Sequence, residues 1–380
     1  MKSLSTLCYQ QLRKSFQNTG LPSGYYLTAI SKASGILASR KKSIRRGIFT
    51  KCPYLKNPLL VSCYDFKIVN NDKLQVSLRH GKKISLPLTK HVAMILSEKD
   101  IEVRSITVTP SVLSLSIRKK VEYYKPKTLI GIDRNASNLT CGNSTRSVQF
   151  NLKKVEEIAK VTREIIKSFK RNDFRIGRIL AAKYGKRRSE RVKQILHHVT
   201  KTIVFDLKQK EASPVIENIT GLRNLYRKGN FQGKNFRARM NSVPWFEIKR
   251  QIEYKAAWNG VPVIQLSKEE TRGTSKSCPA CGERLQEDRY SRVHRRELWC
   301  GKCGKWRDRD LVAVMNISRK GWLRFGQSSA KGEADEAMVQ EPRKEGILLK
   351  VDASKLRICR VPTITANDKE LTEPKGKAIQ

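Results

Sequence analysis

The sequence predicts a multidomain protein of mixed α+β and α/β class, with a zinc ribbon inserted into an alternating strand–helix frame. Three patterns carry that expectation. Cys278 and Cys281 form one C-x-x-C pair and Cys300 and Cys303 a second, with eighteen residues between the pairs. Four thiolates on two tight knuckles can close a tetrahedron around Zn²⁺, and the spacing falls in the range of Cys₄ sites. From Leu59 to Ile117 short alternating runs are separated by turn residues, the pattern of a small β-barrel or sheet. From Leu129 to Ser267 the order reads β-β-β-α…β-α-β, then ribbon, then a last helix.

Composition narrows the partners. The 380 residues leave room for two or three domains. Lys and Arg number 78 against 34 Asp and Glu, a net charge of +44. Such a charge repels itself in a compact state and calls for a polyanion. Phosphate backbones fit, with binding that weakens steeply in salt. An acidic membrane surface is the rival, but there is no apolar run of 18 or more residues and no signal-peptide core near Met1. The expectation is a soluble, intracellular protein, cytoplasmic and nucleoid-associated, that binds nucleic acid. Outside the ribbon, Cys8, Cys52, Cys63, Cys141 and Cys359 are scattered without a secreted disulfide framework.

Taken in order, residues 1–50 read as a basic helical recognition segment. Leu4, Leu7, Cys8, Leu12 and Phe16 roughly follow a 3.6-residue period, Pro22-Ser23-Gly24 interrupts it, and Tyr26 to Ala38 resumes it. The run Arg40 to Arg46 could sit on phosphates or simply be a solvated face. Residues 51–124 form the β-rich, wedge-like part, with Asn70-Asn71-Asp72 as a turn and Lys67, Lys73, Arg79, His80, Lys82 and Lys83 outward. A third domain is expected over 125–325. It starts with strands at 129–133, 138–143 and 146–152. Helices follow at about 153–169 and 189–209, joined by a very basic linker. A strand PVIEN (214–218), a mobile basic loop (221–242), a helix Trp245–Trp258 and a strand VPVIQLS (261–267) lead to the ribbon, at about 271–307. Candidate phosphate contacts on the loop are Arg223, Arg227, Lys228, Lys234, Arg237 and Arg239, joined by Arg272 and Lys276 at the ribbon entry. From 326 to 380 the apolar period fades into a flexible tail.

Three carboxylates mark element ends in this frame. Asp133 closes the first strand, Glu217 closes PVIEN, and Asp310 opens the last helix. Singly, each has an ordinary alternative: a turn cap, a partner for a nearby cation, or a helix N-cap. Together, at the ends of adjacent strands and a facing helix, they repel unless cations lie between them. A two-ion phosphodiesterase site, with Mg²⁺ held by oxygen ligands, has that requirement.

The segments GIDRNASNLT, VIENITGLRN, WFEIKRQIEYKAAWNGVPVIQLSKEETRGTSKSCPACG and CGKCGKWRDRDLVAVMNI resemble the OrfB/TnpB family of insertion sequences, relatives of type V CRISPR effector nucleases. The likeness spans about residues 127–320. It implies a RuvC-type, RNase H-like domain interrupted by a Cys₄ zinc ribbon, and a guide-RNA-directed DNA endonuclease linked to a separate transposase of the same element. It places the catalytic, Mg²⁺-binding residues at Asp133, Glu217 and Asp310 and structural Zn²⁺ on Cys278, Cys281, Cys300 and Cys303. Two departures stand out. The family's Asp-x-Asn-Ala-Ala is Asp310-Leu-Val-Ala-Val here, so Val312 is expected to weaken the polar support of Asp310, and asparagine there to raise activity or leave it unchanged. The chain also starts inside the family's helical region, as a shortened copy would. The runner-up is a catalytically inactive, zinc-containing DNA- or RNA-binding protein that regulates transposition; a DDE-type transposase ranks third.

Overall fold

The computed structural model describes residues 20–54, 60–79, 81–169, 174–227, 229–287, 296–329 and 347–352. The expected helix over Leu4 to Phe16, together with His80 and Lys228, lies outside them. The chain divides into two compact units, through Val121 and from Glu122.

The first unit opens with α1 (Ser23–Arg45), which starts directly after Pro22, where the fixed φ of proline suits the helix entry. It then holds β1 (Leu60–Ser62), β2 (Phe66–Val69), β3 (Lys73–Arg79), β4 (Lys82–Pro87), α2 (Lys90–Leu96), β5 (Ile101–Val108) and β6 (Leu113–Lys119). Asn70 and Asn71, with φ of 51° and 58°, turn β2 into β3. Asparagine tolerates that left-handed backbone, and with Asp72 the two close a three-residue loop between the paired Val69 and Lys73. The strands pair as two antiparallel sheets, β1-β5-β6 and β2-β3-β4. Leu74 and Val76 of one, Ile106 of the other and Tyr25 of α1 share a core. No pairing joins the two sheets among the described residues, so backbone hydrogen bonds do not close a barrel there. Helix α2 is absent from the sequence reading. Thr89 caps it, accepting from the Val92 amide; Val92, Ile95 and Leu96 are half-buried along one side, but seven residues are too few for the period to declare itself.

The second unit is built on one six-stranded sheet. Its elements are β7 (Thr128–Arg134), β8 (Asn138–Gly142), β9 (Arg146–Asn151), α3 (Lys153–Ser168), α4 (Phe174–Gln209), β10 (Ala212–Ile216), α5 (Leu222–Leu225), α6 (Lys234–Ser242), α7 (Trp245–Trp258), β11 (Ile264–Gln265), α8 (Lys268–Thr271), β12 (Glu297–Cys300), β13 (Lys305–Asp308), α9 (Arg309–Ser329) and β14 (Ile347–Asp352). The sheet order is β11-β10-β7-β8-β9-β14. Strands β7, β8 and β9 form an antiparallel meander, while β10 and β11 run parallel to β7 and β14 runs parallel to β9.

Both faces of this sheet are covered, which is why β8 and β10 are buried at every position. Ile132, Leu139, Cys141, Val148, Phe150 and Ile216 pack against α3, α4 and α7. Residues of the opposite parity, Leu129 and Val215, meet Ile317, Trp322 and Phe325 of α9. Gly131 makes that second contact possible. A Cβ there would lie 2.2 Å from the Val314 carbonyl oxygen of α9, so any other residue would push the helix off the sheet.

Several expectations need correction. The very basic segment before Ser189 is the first half of α4, a single 36-residue helix. Its Phe174, Ile176 and Ile179 are exposed, so no buried stripe betrays it; the buried side begins at Val192. The loop at 221–242 contains α5 and α6. Arg163 of α3 and Arg188 of α4 donate to the Ala238 and Ser242 carbonyls, and Arg239 pairs with Glu156 at 2.6 Å, so α6 is pinned rather than loose. Strand pairing at 261–267 is confined to Ile264–Gln265. In the expected tail, α9 continues to Ser329 and ILLKVD (347–352) adds the edge strand β14, a β-branched and apolar run suited to pairing.

Candidate functional site

The ribbon hairpin β12–β13 pairs Glu297 with Asp308 through Cys300 with Lys305. Each knuckle ends in a glycine at positive φ, Gly282 (77°) and Gly304 (60°). There the amides of Gly282 and Gly304 turn back onto the carbonyls of Cys278 and Cys300. The four Sγ atoms lie within 4.8 Å of one another, with Cys278–Cys303 at 3.8 Å and Cys281–Cys300 at 3.4 Å. Tetrahedral Zn–S bonds of about 2.3 Å require S–S edges of about 3.8 Å, so the cluster fits zinc. Burial opposes ionisation of Cys278, yet the backbone amides of Cys281 and Ala280 hold its thiol down at about 7. Burial pushes Cys300 up to about 12, a penalty that a bound cation removes.

The ribbon is locked to α9. Asn316 donates to the Thr274 and Ser277 carbonyls at 2.7 and 2.8 Å. Val312, 1% exposed, packs with Cys278, Leu285, Leu298 and Cys300. This corrects the reading of Val312 as a weak support for Asp310: it faces the ribbon core, because residues two apart on a helix point about 200° apart. Val312→Asn is therefore expected to lower stability by about 1–3 kcal/mol, through a buried amide without partners, and to loosen the ribbon. Thermal melts with zinc bound check this; an unchanged or raised Tm contradicts it.

The three predicted carboxylates occupy one face of the sheet. Asp133 shares parity with Leu129 and Gly131, and Glu217 with Val215, so both point toward α9. Ile132 and Ile216 are register partners on parallel strands, which sets Asp133 and Glu217 side by side one residue later. Across the meander the register runs from Asp133 to Thr140 and from Thr140 to Gln149, continuing the polar row. Asp310 enters over it from the first turn of α9. Asp308, not Asp310, caps that helix: its Oδ1 accepts from the amides of Asp310 and Leu311 at 2.8 and 3.1 Å. The carboxylate of Asp310 is thus free to face the sheet.

Around Asp310, 2% exposed, the donors are dense. Asn135 and Asn138 each reach it at 3.1 Å and Gln149 at 2.7 Å. Arg296 Nη2 lies 2.7 Å from both of its oxygens. Asn135 also donates to Asp133 Oδ2 at 2.7 Å, bridging the two aspartates. Burial, then the charges of Glu217 and Asp310, raises Asp133 to about 7; the residue keeps some exposed surface, but protein surrounds its carboxyl. Burial likewise raises Glu217, against the pull of Arg134. Arg134, whose charged form is disfavoured by its burial, donates to the Glu217 and Trp245 carbonyls at 2.7 and 3.1 Å, joining the ends of β10 and α7.

Among the described residues the four cysteines are the only cluster tight enough to surround one ion; the carboxylates stand farther apart. The donor set, oxygen-rich and short of positive charge at Asp133, suits Mg²⁺. Of the candidate phosphate contacts, Arg227, Lys234, Arg239, Arg272 and Lys276 are exposed, and Arg237 is half-buried and bonded to the Gln232 carbonyl. The structure does not bring these six together at the carboxylates. Arg223 lies on α5. The sequence reading missed Arg134, Asn135, Asn138, Gln149 and Arg296. The asparagines stand inside the quoted GIDRNASNLT motif, but Arg296 is one arginine in an arginine-rich stretch and gives no signal of its own.

Three comparisons bear on this arrangement. Residues 245–317 match the family model described as Cas12f1-like, TNB domain. A TnpB-like protein of Methanocaldococcus jannaschii is 28% identical over 228 residues, 58% of this chain and 78% of that protein. A cryo-EM structure of a Cas12f1–sgRNA–target DNA complex shares the fold, at a TM-score of 0.55 and 17% identity over 84% of this chain and 76% of that one. With the Cys₄ ribbon set between sheet and last helix, these likenesses support the resemblance of the chain to TnpB-like and Cas12f1-like proteins.

Proposed function

We propose that the chain is an RNA-guided DNA endonuclease of a mobile element, with a RuvC-type, RNase H-like domain as its catalytic part. One observation carries this reading: Asp133, Glu217 and Asp310 face the same side of one sheet, and Asp133 is raised to about 7 by burial and by the other two, a charge deficit that calls for cations. Those three residues would hold two Mg²⁺ ions, which when bound activate the attacking water and stabilise the leaving oxygen of a phosphodiester. The chain's own groups set the geometry. Asn135 spaces Asp133 from Asp310, Asn138 and Gln149 fix the Asp310 rotamer, and Arg134 anchors the backbone at Glu217. The half-exposed Arg296 guanidinium is placed to meet a substrate phosphate as well as Asp310. In this reading segment 1–50 and the β-rich part 51–124 hold the guide–target heteroduplex by its backbone, while base pairing reads sequence.

A second reading, a catalytically inactive nucleic-acid-binding regulator of transposition, draws on the same Arg296 contact, because both Asp310 oxygens are occupied by it. Co-expression of the chain with the DNA flanking its gene separates the two. The nuclease reading predicts one discrete co-purifying RNA; recovery of only bulk cellular RNA contradicts it. Affinity for nucleic acid is expected to fall by about 10³–10⁵ between roughly 50 and 200 mM salt if six to ten phosphates are contacted. Neutralising the exposed Arg227 or Lys234 should lower the salt slope by about one each. A flat salt profile would contradict the assignment of the charge to phosphates.

A further inference from the structure

The ribbon carries a feature that neither zinc nor the carboxylates use. Gln286 and Trp299 exchange backbone hydrogen bonds at 2.9 Å in both directions, and Trp299 pairs in register with Trp306. An isolated bridge and the β12–β13 pairing thus place Gln286, Trp299 and Trp306 in one row. Leu298 and Cys300 are buried in the ribbon core, so alternation turns Trp299 to the opposite face. Arg307 lies beside Cys278 and Cys303, so Trp306, next to it, also faces away from the metal cluster. Both indoles are half-buried. Their ring centroids are 5.3 Å apart, but the planes are inclined by 54°. They are splayed, not stacked on one another, and with Gln286 and Glu287 they line a cleft of about 280 Å³.

We propose that Trp299 and Trp306 form a stacking site for one unpaired base of the DNA strand delivered to the carboxylates. An indole face takes any base, since each has a π-surface. The acidic residue lining the cleft, Glu287, is paired with Arg309 at 3.7 Å, which offsets its charge. Position argues for the cleaved strand. Strand β13 runs straight into α9, and four peptide steps separate Trp306 from Asp310, at most about 15 Å between Cα atoms. A cross-strand aromatic pair that only stabilised the hairpin would contribute about 0.2–1 kcal/mol and would be indifferent to nucleic acid. The assignment rests on the nuclease reading for the identity of the strand, not for the stacking itself.

The test is binding by the full, zinc-loaded chain without Mg²⁺, so that cleavage plays no part. The probes are a short oligothymidylate, the same strand made of abasic sugar phosphates, and oligouridylate. Trp299→Ala and Trp306→Ala should each weaken oligothymidylate binding about 5- to 150-fold, the range for one lost stacked base, with an unchanged salt slope. Phenylalanine at either position should retain most of the affinity, which separates stacking from a folding defect. The abasic strand should bind wild type and variants alike. Unchanged oligothymidylate affinity in the zinc-loaded alanine variants would overturn the proposal. So would equal discrimination against the abasic strand by wild type and variants, and a stronger effect on oligouridylate would overturn the assignment to DNA. Failure of the carboxylates to cleave would leave these binding results intact and refute only the nuclease reading.

Discussion

Removal of zinc is expected to dissolve the ribbon and take Asp310 out of place. Cys278, Cys281, Cys300 and Cys303 tie two short segments together, and the ribbon's apolar core is Leu285, Leu298 and Val312 with the cysteines themselves. A structural Zn²⁺ contributes an apparent 10–16 kcal/mol in small domains, far more than this core can replace. Cys303→Ser, or chelation, should expose Val312 and release the Asn316 contacts to Thr274 and Ser277. The sheet should remain, because its two cores lie elsewhere. The expected readout is about one tightly bound zinc per chain, lost in Cys303→Ser together with amide protection at 296–312 but not in β7 or β10. Folded protein without zinc, with those amides still protected, would contradict this.

The second large effect concerns the carboxylates. Asp133→Ala, Glu217→Ala and Asp310→Ala should each abolish DNA cleavage while leaving nucleic-acid binding intact, since affinity comes from Lys and Arg. Asp133→Asn gives a finer check in the metal-free protein. The Asp133 carboxyl has its folded value raised from 3.8 to about 7. Its contribution to stability is therefore fully present below about pH 4 and lost as pH rises through about 7. Asparagine keeps the shape and the Asn135 contact without the charge. The variant should match wild type near pH 4 and exceed it by up to a few kcal/mol at pH 8, and added Mg²⁺ should stabilise wild type but not the variant. An equal offset at both pH values would mean that charge crowding is absent.

How much of this was legible in the sequence depends on what each pattern records. The C-x-x-C spacing is local and rigid, so the cysteine cluster could be placed without tertiary knowledge. The meander and the Trp245–Trp258 helix were legible because burial on one or both faces writes a period into the chain. The described first half of α4 has no fully buried residue before Val192, so its basic composition reads as linker, and α2 is only seven residues long, too short to show a period. Asp133, Glu217 and Asp310 stand out as candidates from their positions at element ends. Their parity toward α9 is a property of sheet register, and the role of Asp308 as the cap emerges only from its hydrogen bonds. Val312 shows the opposite failure: proximity in sequence to Asp310 suggested a shared environment, and helix geometry sends it to the ribbon. Arg296 lies fourteen residues from its partner across the ribbon, a long-range contact that no local pattern encodes.

The central claim is that the carboxylate face cuts DNA under guidance, and the most direct measurement is cleavage by the purified complex with its co-purifying RNA. DNA matching the guide should be cut with Mg²⁺ or Mn²⁺ and not without them. Asp133→Ala, bound to the same RNA and DNA with equal affinity, should give no product. Undiminished cleavage by Asp133→Ala would contradict the account.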